Sequence, residues 1–181
     1  MKHTTRWIAL GVAVVIVAFS VVLATQVGND PRKDANTSHL AGKAAPKFTV
    51  ETLDGATLSS RDLAGKTVIV NFWNTWCIPC KQEHPELTKF YARHNDDPDF
   101  VFLGIVRDDT KAATERWVKK YGDDWTIATD PGGKAALAFA TRGQPETFAI
   151  SPDGVIVGYQ IGPSSVNGLE QLLSAARGEG T

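Results

Sequence analysis

The residues best suited to chemistry are Cys77 and Cys80, the only two cysteines in 181 residues, set in Trp76-Cys77-Ile78-Pro79-Cys80. A two-residue spacer closes too small a loop to staple a fold. A zinc ribbon needs a second ligand pair, and the four histidines (His3, His39, His84, His94) are scattered. The remaining chemistry is thiol-disulfide exchange, in which a thiolate attacks a disulfide sulfur. No cofactor and no metal is expected.

The flanking sequence says how such a pair is held. Thr67 to Phe72 is an almost unbroken apolar run and reads as a buried central strand. Lys81 to Asn95 reads as a helix starting near Cys77, with Pro85 a kink inside it. The unpaired N–H groups of a helix start carry about half a positive charge and favour a thiolate at Cys77. Pro79 suits that first turn. Cys80 lies one turn on, on the same face. The spacing predicts Cys77 as the exposed nucleophile and Cys80 as the buried resolver. Trp76 is expected on the apolar surface that a partner meets. Trp73 reads equally as core, and Lys81 as a solvated helix residue.

Around this centre the pattern alternates. Lys47 to Leu53 and Thr57 to Ser59 form a hairpin about Asp54-Gly55. Phe100 to Val106 is a second buried strand, and Thr110 to Tyr121 an amphipathic helix. Trp125 to Ala128 reads as a short strand and Lys134 to Thr141 as a helix. Thr147 to Ile150 and Val155 to Ile161 form a hairpin about Pro152-Asp153-Gly154, and Val166 to Arg177 is a last helix. This order predicts an α/β fold, a mixed central sheet with helices on both faces.

Charge and hydropathy bound the setting. A net charge of -1 with no basic stripe argues against nucleic acid as a partner. Trp7 to Ala24 is uncharged and apolar, about 27 Å long as a helix, near the ~30 Å of a bilayer core. Lys2 and Arg6 before it place the amino terminus inside and the rest outside the cytoplasm. An uncleaved signal-anchor is favoured over a signal peptide cut after Val22-Leu23-Ala24, which would leave a secreted protein. The expected organisation is a cytoplasmic terminus (1–6), a transmembrane segment (7–24), a flexible linker (25–44), a folded domain (45–177) and a tail (178–181).

Three stretches resemble the membrane-tethered TlpA/ResA/CcmG (DsbE)-type thiol-disulfide oxidoreductases of the thioredoxin-like superfamily: Val70 to Pro85, Gly143-Gln144-Pro145-Glu146-Thr147-Phe148, and the hairpin from Ala45 to Ser59. The resemblance implies a thioredoxin-like fold with an N-terminal hairpin and an inserted helix. It implies that Pro145 is a cis-proline facing the cysteines, and that the Gln144 backbone pairs with an extended substrate peptide. Glu146 and Thr147 would lie beside that groove. On its residues alone Glu83 reads as a surface helix glutamate; the resemblance makes it an acid that tunes and relays protons for the cysteines. Two departures stand out. Asn71 replaces the buried Asp of plain thioredoxin, and the Ile78-Pro79 spacer differs from common versions, leaving the direction of electron flow open. The implied task is reduction of apocytochrome c disulfides during cytochrome c maturation, with electrons from a membrane reductant of the CcdA/DsbD type. Alternatives are an oxidase for exported proteins and a non-catalytic binding module.

Overall fold

The computed structural model describes Trp7, residues 11–21 and residues 39–179. The chain divides into two units, Met1–Thr37 and Ser38–Thr181. In the first, residues 11–21 are helical and expose Val12, Val14, Val15, Ile16, Val17 and Phe19. Among the described residues no helix is long and apolar enough to cross a membrane. The expected span over 7–24 and the linker over 25–44 fall partly outside the described residues.

The second unit is a seven-stranded mixed sheet. Its strands are β1 (Thr49–Thr52), β2 (Thr57–Ser59), β3 (Thr67–Trp73), β4 (Phe100–Val106), β5 (Thr126–Thr129), β6 (Glu146–Ile150) and β7 (Ile156–Ile161). Their spatial order is β2-β1-β5-β4-β3-β6-β7. β3, β4 and β5 run parallel, as crossover helices require; the hairpins β1–β2 and β6–β7 add antiparallel neighbours. The helices are α1 (Ile78–His94), α2 (Lys111–Tyr121), α3 (Lys134–Ala138) and α4 (Val166–Arg177).

Every residue of β3 is buried, because it lies between β4 and β6 with both faces covered. Alternation divides its side chains. Ile69 and Trp73 join Leu87 and Phe90 of α1, Trp117 of α2 and Leu169 of α4 in one core. Val68, Val70 and Phe72 join Phe48, Phe139 and Phe148 in the other. Asn71 therefore shares the face of Ile69 and Trp73, under α1. Its neighbours in register are Thr147 on β6 and Gly104 on β4. Gly104 has a packing reason: a Cβ there would lie 2.9 Å from Trp73 Nε1 and 3.3 Å from Trp125 Nε1.

One helix is shorter than its pattern implied. α3 ends at Ala138 rather than Thr141. Ala140 takes a left-handed φ of 51°, and Thr141 N–H donates to the Ala136 carbonyl at 3.0 Å. This is a helix-ending motif that glycine usually serves. With alanine in that place, the sequence carries no visible stop before Gly143.

Candidate functional site

The pair sits where β3 ends and α1 begins. Cys77 and Cys80 are joined as a disulfide, with Cα atoms 5.3 Å apart. Cys77 is the N-cap of α1, and its sulfur accepts a hydrogen bond from Cys80 N–H at 3.1 Å. A serine or aspartate oxygen usually fills that role. When the disulfide is reduced, the same N–H is placed to donate to a thiolate, the form that attacks disulfides. The sequence expectation of an exposed Cys77 over a buried Cys80 needs correction. In the disulfide state both are buried, at 4% and 3% exposure. The asymmetry lies in their neighbours: Cys77 Sγ faces the Gln144 carbonyl at 3.7 Å, whereas Cys80 faces inward.

The loop carrying the pair is held from the C-terminal end of β4. Asn74, fully buried, accepts from Cys77 N–H at 2.9 Å and donates to the Arg107 carbonyl at 3.3 Å. Thr75 donates to Asp109 Oδ2 through its N–H (2.8 Å) and its hydroxyl (2.6 Å). Trp76 stays 57% exposed, its indole N–H donating to the Asp108 carbonyl at 3.0 Å. Its ring is thus fixed yet available to a partner, beside the exposed Ile78. Trp73 is core, its ring 5.4 Å from that of Trp117. Lys81 is exposed.

Glu83 is not a surface residue. It is 1% exposed and lies under the sheet face that carries Asn71. One carboxyl oxygen accepts from Asn71 Nδ2 at 3.0 Å, the other from Ser164 N–H at 2.9 Å. Burial pushes its pKa up to about 7, and those two hydrogen bonds offset part of the effect. Glu83 and Cys80 line one small cavity of about 10 Å³ with Asn71, Trp73, His84 and Trp117. A carboxyl that titrates near neutrality beside the inner cysteine suits it to take that thiol's proton.

The Gln144–Pro145 peptide bond is cis. Gln144 is half-buried, and its N–H makes no hydrogen bond among the described residues. Glu146 and Thr147 differ from expectation. Both are buried, at 1% and 0% exposure, because the β6 register turns them into the two cores. Glu146 accepts from the N–H groups of Arg142 (2.7 Å) and Gly143 (2.8 Å) and from the Tyr159 hydroxyl (2.7 Å). Burial and that carboxylate raise the Tyr159 pKa. Thr147 lies 3.0 Å from Asn71 Nδ2 and 3.4 Å from Ser164 Oγ. These two shape the wall from behind rather than meeting a peptide.

Sequence reasoning missed Asn74, Arg107, Asp109 and Ser164. The first three follow the carboxyl ends of parallel strands, where α/β sheets gather their sites; that position is the signal that could have found them. A concavity of about 720 Å³ between β1, β2 and the start of α3 does not include the cysteines. Among the described residues no group of three or more His, Cys, Asp or Glu side chains could hold a metal ion.

Comparison with known proteins agrees with this chemistry. A family model described as Redoxin matches residues 40–173. The thiol-disulfide oxidoreductase ResA of Bacillus thuringiensis (strain Al Hakam) is 34% identical over 132 residues, 73% of this chain and 76% of that protein. The thiol:disulfide interchange protein DsbE of Allochromatium vinosum is 32% identical over 152 residues, 82% of this chain and 81% of that one. A solved thiol:disulfide interchange protein of the thioredoxin family from Chlorobium tepidum TLS superposes with a TM-score of 0.66 at 29% identity. It covers 74% of this chain and 94% of that one. With Cys77 capping the helix that carries Cys80 in a thioredoxin-like sheet, this chain belongs to the Redoxin family and is a thiol-disulfide oxidoreductase of the ResA and DsbE type.

Proposed function

We propose that this oxidoreductase works outside the cytoplasm, tethered by its N-terminal apolar segment, and reduces disulfides of apocytochrome c before haem attachment. The observation that carries the chemistry is Cys77 Sγ at the start of α1, 3.7 Å from the carbonyl of a Gln144 backbone whose N–H has no hydrogen-bond partner among the described residues. An extended peptide pairing with Gln144 brings its disulfide to Cys77. The Cys77 thiolate attacks one substrate sulfur, and the substrate S–S bond breaks to release the other as a thiolate. Cys80 then loses its proton to Glu83 and attacks Cys77 Sγ. The mixed disulfide breaks, the second substrate thiolate leaves, and Cys77–Cys80 is oxidised by two electrons. A membrane reductant of the CcdA/DsbD type returns them. The cytochrome substrate and the reductive direction rest on the resemblance to the TlpA/ResA/CcmG group.

Cys80→Ser blocks the second attack and is expected to trap mixed disulfides at Cys77. Mass spectrometry of the trapped partners should find c-type apocytochromes; their absence would sink the maturation role. A reduction potential near ~-270 mV or below fits a reductase, and one near ~-120 mV points to an oxidase.

A further inference from the structure

Arg107 follows β4, at the level where Val106 pairs with Trp73. Its backbone N–H donates to the Trp73 carbonyl at 3.0 Å, and its own carbonyl accepts from Asn74 Nδ2 at 3.3 Å. Those contacts fix it to the cysteine loop. Its guanidinium reaches the other way. One terminal nitrogen donates to Thr141 Oγ1 at 2.7 Å and, more weakly at 3.4 Å, to the Gly143 carbonyl. Nε pairs with Asp108 Oδ2 at 3.1 Å. One side chain thus spans the loop after β4 and the loop before Pro145, from a backbone bonded to the loop after β3.

Glu146 holds the same segment from behind through Arg142 N–H and Gly143 N–H. Gly143 is therefore gripped at both its N–H and its carbonyl. The next residue, Gln144, is left with an N–H that has no partner among the described residues and with its carbonyl toward Cys77 Sγ. A docking edge set in advance loses little freedom when a partner pairs with it. A small disulfide has no backbone to pair and needs only the sulfur.

We propose that Arg107 is a positioning residue that makes this enzyme prefer disulfides carried on extended peptide over small soluble disulfides. The inference rests on the thiol-disulfide exchange reading and adds the residue that sets the docking edge for an extended peptide. The planar fork of arginine suits several acceptors at once, whereas lysine offers a single charged point. Loss of one or two such hydrogen bonds corresponds to roughly tenfold in binding.

The test compares full-length wild type with Arg107→Met, Arg107→Lys and Thr141→Val. Each reduced protein reacts with insulin and with the small aromatic disulfide 5,5′-dithiobis(2-nitrobenzoate). Arg107→Met should lower the preference for insulin over the small disulfide about tenfold, through KM rather than kcat. Arg107→Lys should recover part of it. Thr141→Val keeps the guanidinium and its charge and should lower the preference about threefold. That variant keeps the test alive if Arg107→Met does not fold. Equal slowing on both disulfides, a shifted pH profile for Cys77 alkylation, or an unchanged preference would overturn the positioning role. A wild type that reduces neither substrate would instead overturn the exchange reading itself.

Discussion

Glu83 carries the balance between burial and hydrogen bonding at the residue scale. Its folded pKa, about 7, stands above the ordinary 4.5 because desolvation outweighs the donors Asn71 and Ser164. The sign follows directly. Between pH 4.5 and 7 the folded protein holds a proton that the unfolded chain has released, so stability falls as pH rises through that window and levels off above it. The loss is on the order of 3 kcal/mol at ~1.36 kcal/mol per pH unit. Urea unfolding of wild type and Glu83→Gln at pH 5 and pH 8 should show this slope in wild type only; parallel curves would show that Glu83 does not titrate there. The cysteine pair was legible because its chemistry is local, two residues and a helix start. The burial of Glu83 was not, because its partners Asn71 and Ser164 are 12 and 81 positions away. Glu146 misled for the same reason: its inward turn depends on pairing with Phe72 across the sheet.

Elements were easier to read than their contacts. The apolar runs of β3 and β4 and the alternation of the hairpins announced the sheet. The end of α3 did not announce itself, since alanine occupies the left-handed position at residue 140. Gly104 was equally silent, a glycine within an apolar strand that gives no hint of two indoles above it. The structure makes it a close-approach site between β4, Trp73 and Trp125. Gly104→Ala should destabilise the domain by about 1–3 kcal/mol, the usual range for overpacking a filled core. Chemical denaturation measures this; a change below ~0.5 kcal/mol would mean the indoles move aside freely. Trp73 also precedes the cysteine loop, so the same variant reports how firmly the sheet backs the site.

At the scale of the whole molecule, the N-terminal helix bears on where the folded unit works. We propose that the helix over residues 11–21, whose apolar side chains are exposed, meets an apolar environment. Full-length protein should sediment with membranes and resist salt and alkaline washing; recovery in the soluble fraction with a terminus after Ala24 would show a cleaved signal instead. The sheet order has a consequence in time. β3 lies between β4 and β6, and β6 arrives last of the three. Roughly 75 residues separate the ends of β3 and β6, so at ~5–20 residues per second the growing chain presents its thiols for several seconds before the Gln144 wall exists. Through that interval one edge of the central strand is unpaired. The nascent chain then carries Cys77 and Cys80 without the wall that faces them in the folded domain.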